Sequence, residues 1–345
     1  MDNLLSHFGG IPATTAASMS CALCGNNHVQ VVSERDRDGK PLRNVLCIAC
    51  GLVWADPRPS DENIDKFYSS EYRLRYKGAY QPKPRHCYRE TLRAITRTKR
   101  FLPLYQPGMR VLDVGAGAGF FAYVLKRKGT LIEGIEPNEE YANYARTELG
   151  LRNIRTGFLK DIEENGCYDL ITINHVFEHL SDPCLSMTQM HRILRAEGRV
   201  IMEVPNIEAT YHAPNKIFHV GHLYWYNPQT IQALAMRYGF TVDDVQIVPG
   251  AKHINLILRK SNRIIPEHDI DAMLSGNAAH VLGGLKKHTM LKHFLSHVPY
   301  ARFYKKMRQY SKEHAYTKNF HDGVSIVDAV FSEFSDWPPE SSLRY

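Results

Sequence analysis

Val111-Leu-Asp-Val-Gly-Ala-Gly-Ala-Gly-Phe-Phe121 is the stretch that decides the fold of this 345-residue chain. Its first four residues read as a β-strand; glycines at 115, 117 and 119 follow, then an amphipathic helical pattern, Gly119–Lys128. Closely spaced glycines let the chain turn sharply and let a ligand approach the backbone. A helix starting directly after such a turn presents unpaired N–H groups and a partial positive charge, which suit an anionic group. Asp113, one residue short of the strand end, can accept hydrogen bonds from a ligand amine. Glu136 ends the next expected strand, Leu131–Glu136, 21 residues beyond Gly115. In a doubly wound sheet an acidic residue there holds a ribose through its hydroxyls.

Around this centre, strand and helix patterns alternate from 109 to about 260. Strands are expected at Met109–Val114, Leu131–Glu136, Asn153–Thr156, Leu170–Asn174, Arg199–Val204, Thr241–Val248 and Ile254–Arg259. Helices are expected at Glu139–Leu149, Pro183–Arg195 and Pro228–Tyr238. Such alternation implies an α/β fold with a mostly parallel sheet between helices. The last two strands are linked only by Pro249–His253, too short for a parallel crossover, so they form an antiparallel hairpin. The chain then divides into a flexible 1–20, a cysteine-bearing unit 21–58, a helical linker 59–106, the central domain 107–260 and a helical extension 261–345. In the linker, Ser60 caps a helix Asp61–Ser69, a polar aromatic stretch runs from Tyr72 to Pro84, and His86–Leu102 is helical. In the extension, helices are expected at Ala278–His297, Tyr300–Glu313 and Gly323–Phe334, before a proline-rich end.

A dinucleotide fingerprint, GxGxxG, would need glycine where Phe120 stands; the chain has GxGxG after a strand aspartate. That pattern resembles motif I of the class I S-adenosylmethionine-dependent methyltransferases. The resemblance covers roughly 107–260 and includes Glu136, Tyr168-Asp-Leu-Ile-Thr-Ile-Asn174 and Leu194-Arg-Ala-Glu-Gly-Arg-Val-Ile-Met-Glu-Val-Pro-Asn206. It implies a Rossmann-like, seven-stranded sheet that binds S-adenosylmethionine; a dinucleotide-binding or plain nucleotide fold is the alternative. By the same resemblance Asp113 faces the methionine amine, Gly115, Ala116 and Gly117 line the donor, and Glu136 with Pro137 holds the ribose. Gly157 and Phe158 would contact the adenine, with Asp161 as a nearby acid, and Asn174 completes the donor side.

Cys21-Ala-Leu-Cys24 and Cys47-Ile-Ala-Cys50, separated by 22 residues, read as a metal site before a disulfide framework. Four thiolates make the closed tetrahedron of structural zinc, with no position for water; His28 is a substitute ligand. Cys87, Cys167 and Cys184 read as ordinary small apolar residues. The cysteine unit, its exit Gly51-Leu-Val-Trp-Ala-Asp-Pro-Arg-Pro59 and the central domain together resemble a bacterial branch of methyltransferases acting on sugars and related metabolites. Deoxysugar C-methyltransferases of that branch carry a second α/β domain. The 85 residues after 260 are too few and too helical for one, so oxygen methylation is the expectation.

Methyl transfer to a hydroxyl needs an aligned acceptor and a base for its proton. Candidate bases belong at the ends of strands four and five. After the fourth comes Asn174-His175-Val-Phe-Glu178-His179, whose Glu-His pair resembles that of many related methyltransferases, including those of ubiquinone biosynthesis. After the fifth comes a long loop with His212, His219, His222, Tyr224, Trp225 and Tyr226. His222 is the first choice as base, with His219 and His175 behind it, and Glu178, His179 and Tyr224 as supporting groups. Structural readings compete: the Glu-His pair can simply bond its loop, and the aromatic loop can be a packed lid.

The formal charge is +7 and the hydrophobic content 43%, ordinary for a globular chain and compatible with an anionic substrate. No stretch approaches the apolar run of about 20 residues that a membrane span needs, and the first 20 residues lack a secretory pattern, so the cytoplasm is expected. From Ala272 to Lys312 there is no Asp or Glu, while Lys286, Lys287, Lys292, Arg302, Lys305, Lys306, Arg308 and Lys312 fall inside. That segment reads as a solvated face, a site for a phosphate-bearing glycan, or a membrane-surface contact; no RNA-binding motif accompanies it. The expected acceptor is a small molecule or glycan, by preference a sugar hydroxyl. Methylation of RNA or protein, carbon methylation of a deoxysugar, and a non-catalytic donor-binding partner are the rival readings. Oligomeric state has no signature in the sequence.

Overall fold

The computed structural model describes residues 19–72, 81–248, 252–263 and 265–336. The expected lead-in up to residue 18, most of the aromatic stretch after Tyr72, the link at 249–251 and the proline-rich end from 337 lie outside the described residues. The strands are β1 (Val29–Arg35), β2 (Pro41–Cys47), β3 (Val53–Ala55), β4 (Arg110–Val114), β5 (Leu131–Glu136), β6 (Ile154–Thr156), β7 (Tyr168–Asn174), β8 (Leu194–Pro205), β9 (Tyr224–Trp225), β10 (Phe240–Ile247) and β11 (His253–Lys260). They form a mixed seven-stranded sheet of order β10-β11-β8-β7-β4-β5-β6 and a separate four-stranded sheet of order β1-β2-β3-β9. This is the α/β, Rossmann-like, seven-stranded architecture that the family resemblance implies.

The chain forms two compact units. One contains the described residues up to Phe67, Glu164–Gly166 and Ile173–Arg302. Here β1, β2, β3 and β9 pair antiparallel, and apolar Val45, Leu46, Val53 and Trp54 are buried. β10 pairs antiparallel with β11, and β11 antiparallel with β8, so the hairpin expected at the end of the strand series is present. The β1–β2 hairpin was not legible in the sequence. Val29–Arg35 is half polar, with no fully buried residue, so it lacks the clean apolar alternation that marks a strand.

The other unit contains the described residues of Tyr68–Glu163, Cys167–Thr172 and the chain from Phe303 on. β4 and β5 pair parallel, as do β5 and β6, joined by the helices Phe120–Arg127 and Glu139–Thr147. The helix Pro84–Arg100 buries Thr91, Ala94, Ile95 and Thr98, packing against Phe120–Arg127 and Gly323–Phe334. Arg89 on it grips the buried Glu313 carboxylate through two 2.6 Å hydrogen bonds, an anchor for the end of the helix Val298–Thr317.

Ser60 does cap its helix, accepting from the Asn63 N–H, but the helix Asp61–Lys66 passes into a π-helical turn, Phe67–Glu71. The helix expected over 278–297 is two helices, Asn277–Lys287 and Met290–Leu295. Thr289 accepts from the Lys292 N–H and starts a new helix there. A further helix, Glu267–Leu274, carries too short an apolar pattern to be read from sequence. No helix among the described residues is long and apolar enough to cross a membrane.

Candidate active site

The residues expected on the donor side that lie in the second unit form one connected loop system. Gly115 and Ala116 both give their N–H to the Ile135 carbonyl, at 2.8 and 3.1 Å. The Gly117 N–H donates to Glu136 Oε2 at 2.9 Å, while Asn138 N–H donates to Oε1 at 3.2 Å. Glu136 therefore fixes the glycine loop as well as standing where the ribose acid is expected. Gly119 must be glycine: its φ is +84°, and a Cβ would lie 2.6 Å from Leu151 Cδ1 and 2.8 Å from Ala145 Cβ. Pro137 sits between Glu136 and Asn138, whose side chain caps the helix Glu139–Thr147. Past β6, Gly157 donates to the Glu136 carbonyl at 3.1 Å and has φ +146°. The next residue, Phe158, gives its N–H to Asp161 Oδ2 at 2.8 Å, so Asp161 shapes this turn.

Asp113 is only 4% exposed. Burial raises its pKa from an ordinary 3.8 to about 7, against the opposing pull of the Thr172 hydroxyl, which donates at 2.8 Å, and of the Arg97 charge. A carboxylate held this way gains from a cationic partner. Asn174 ends β7 in the first unit, half-buried.

The histidines and the acid of the first unit converge. His175 has φ +55°, rare for a non-glycine residue, and gives its backbone N–H to the Glu203 carbonyl at 2.8 Å. Its Nε2 lies 2.7 Å from Glu203 Oε1 and its Nδ1 3.4 Å from Glu178 Oε1. Burial alone would lower its pKa; the Glu178 and Glu203 carboxylates outweigh burial and raise it. Glu178 sits in the 3-10 turn Phe177–His179, 1% exposed, and its carbonyl accepts from Leu223 N–H at 3.0 Å. His222 Nε2 is 3.8 Å and His179 Nε2 3.9 Å from Glu178 Oε1. The His219 and His222 ring centroids are 3.8 Å apart. Burial, then the neighbouring His219, His179 and His175, push the His222 pKa well below the usual 6.5, so it is neutral at neutral pH. Tyr224 is differently engaged. Its buried hydroxyl accepts from Arg58, which also donates to the Ser181 carbonyl. His212 lies apart from the Glu178 group, beside Tyr211. Burial, then the Arg302 and Lys252 charges, lower its pKa to about 4.

A family model described as a methyltransferase domain matches residues 85–245. That stretch of the chain resembles a methyltransferase domain. Over 106 residues it is 30% identical to a ubiquinone biosynthesis O-methyltransferase of Alkalilimnicola ehrlichii, covering 29% of this chain and 42% of that protein. Over 97 residues it is 34% identical to an uncharacterized methyltransferase of Mycobacterium sp. (strain KMS), covering 28% of this chain and 38% of that protein. The chain thus spans less than half the length of these relatives. Partly similar solved structures include a magnesium protoporphyrin IX methyltransferase from Synechocystis PCC 6803, at 16% identity, 59% of this chain, 100% of that one and TM-score 0.47. Another is an S-adenosylmethionine-dependent methyltransferase from Aquifex aeolicus, at 21% identity, 60% of this chain, 100% of that one and TM-score 0.40.

The methyltransferase-domain match takes in every residue expected on the donor side and the His175–His222 group, and leaves the four cysteines outside. Cys21 Sγ lies 3.5 Å from Cys50 Sγ, Cys24 Sγ 3.4 Å from Cys47 Sγ, and all four sulfurs lie within 4.8 Å of one another. A disulfide would need about 2.05 Å. A tetrahedron with metal–sulfur bonds near 2.3 Å spaces its sulfurs about 3.8 Å apart, so the cluster fits a bound zinc ion. Two residues beside His175 escaped the sequence reading. Glu203 lies inside the apolar run of β8, and His253 is brought edge-on to His175, centroids 4.5 Å apart, only by the β8–β11 pairing.

Proposed function

We propose that this chain transfers the methyl group of S-adenosylmethionine to a sugar hydroxyl, in a nucleotide sugar or a surface glycan. The observation that carries the reading is the buried Glu178 carboxylate with His175, His179 and His222 within 4 Å of it, a place where a hydroxyl proton can be received. In the reaction the hydroxyl oxygen attacks the methyl carbon, the carbon–sulfur bond breaks, and the sulfonium becomes a neutral thioether. The O–H proton passes to the imidazole–carboxylate cluster, with His222 as first acceptor because it is neutral before the step. Asp113 pairs with the donor amine, Glu136 with its ribose, and Gly115, Ala116 and Gly117 lie along it; Gly157 and Phe158 flank the adenine. The name of the O-methyltransferase relative favours oxygen over carbon as acceptor. The four cysteines hold a structural zinc whose closed sulfur shell takes no part in the chemistry.

Incubation with methyl-labelled donor and either nucleotide sugars, cell-surface glycans or total RNA tests the reading. Label in a sugar supports it. Label in RNA alone, or donor that binds without any transfer, overturns the sugar assignment.

A further inference from the structure

Four large apolar side chains follow one another at helical spacing along Val298–Thr317: Phe303, Tyr304, Met307 and Tyr310. At 100° per residue they fall within an arc of about 120°, a continuous stripe along the axis. A stripe of this kind is normally buried, yet these four residues are 43% to 68% exposed. The opposite side of the helix is the one held by the fold. There Gln309 donates to Glu313 Oε1 at 2.6 Å, Arg89 grips the same carboxylate, and the Tyr316 ring centroid lies 4.6 Å from that of Tyr88. The stripe therefore faces away from the core, and turning the helix to bury it would break those contacts.

Positive charge lines both margins of the stripe. By the same helical spacing Lys306 borders one edge, and Arg308, Lys312 and Lys305 flank the other; all four are exposed. Arg308 lies over the Tyr304 ring at 5.9 Å and Lys306 over the Tyr310 ring at 5.5 Å, so cations and aromatic rings form one surface. No Asp or Glu occurs from Ala272 to Lys312, and the next acid, Glu313, is buried against Arg89. We infer that this helix docks the protein on an anionic lipid surface. Phe303, Tyr304, Met307 and Tyr310 enter the headgroup boundary, and the four cations meet the lipid phosphates. Long Lys and Arg side chains suit this arrangement, because their stems lie along apolar material while their charges stay in the polar layer. A broad, flat occupant satisfies the stripe and both charged margins at once. A second copy of this chain is a poorer occupant, since it would bring two like-charged faces together. The inference does not rest on the methyl-transfer reading.

The test is co-sedimentation of the full chain with vesicles of phosphatidylcholine alone, or of phosphatidylcholine mixed equally with phosphatidylglycerol. Saturable binding to the mixed vesicles, weaker by about tenfold or more to phosphatidylcholine alone, is the expected result. Two variants locate the contact: Phe303→Ser with Met307→Ser, and Lys305→Gln with Lys306→Gln and Arg308→Gln. Each should weaken binding to the mixed vesicles by about tenfold or more. Both should keep the wild-type Tm, because every altered side chain is exposed. The comparison of the two lipids on wild type needs no variant. Folded wild type that ignores the mixed vesicles, or binds both kinds equally, overturns the inference, as does unchanged binding by both folded variants. Dimerisation, or retention of single-stranded RNA, through these residues without vesicle binding also overturns it and gives the face to a second copy or to nucleic acid. Vesicle binding by a chain that transfers no methyl group would keep the inference and remove the enzymatic reading instead.

Discussion

Glu136 Oε2 accepts the Gly117 N–H at 2.9 Å, tying the end of β5 to the glycine loop after β4. The same carboxylate accepts the Asn138 N–H through its other oxygen. One side chain therefore sets the loop shape and, in the proposed function, meets the ribose. Glu136→Ala is expected to lower donor affinity by at least tenfold, because it removes the ribose contact and the hydrogen bond that orders the loop. Calorimetry with S-adenosylmethionine checks this; unchanged affinity would take the ribose role away from Glu136.

Asp113 is expected to make donor binding pH-dependent. Its carboxyl, raised by burial from 3.8 to about 7, holds a proton in the folded protein at pH values where the unfolded chain has released it. Stability contributed by this group therefore falls as pH rises from about 4 to about 7 and levels off above. A donor ammonium favours the ionised form, so affinity should weaken as pH drops below about 7. Asp113→Asn should flatten both dependences, seen by thermal melts and donor titrations across that window.

Gly119→Ala tests the loop sterically. The added methyl meets Leu151 and Ala145 at a positive φ, so a loss of about 2–4 kcal/mol is expected, measured by denaturant unfolding. A loss under about 0.5 kcal/mol would mean that the helix start at Phe120 can shift to accommodate it.

Cys47→Ser removes one of four sulfurs from the cysteine cluster, at the end of β2. Elemental analysis should find about one zinc ion per chain in the wild type and almost none in the variant, with a lower Tm. Donor affinity should be retained, since the expected donor-side residues other than Asn174 lie in the other unit. Equal zinc content would transfer the metal to a different donor set.

His222→Ala should reduce kcat by about 10²–10⁴-fold with donor affinity unchanged. Because its pKa lies well below 6.5, the wild-type rate should not fall as pH drops through 6.5 on account of this group. Turnover that persists in the variant would move the proton acceptor to His219 or His175.

What could be read from the chain alone was whatever depends on local periodicity and spacing. The strand–glycine–helix segment at 111–121, the acid at the end of the next strand and the two cysteine pairs each carry their chemistry within a short window. Chain connectivity forces such residues together, so sequence suffices to name the methyltransferase fold and the four sulfurs that could share a metal. The hairpin β10–β11 was equally legible, because so short a link admits only one pairing sense. Tertiary structure decided everything that depends on residues distant in sequence. Glu203 and His253 reach His175 through sheet pairing, and Arg58 reaches Tyr224 across 166 positions, occupying a phenol that the sequence offered for catalysis. Burial also set the protonation states: Asp113 is raised toward neutrality and His222 is kept neutral. These follow from how much water each group loses on folding and which charges come to lie beside it, and no pattern along the chain records either.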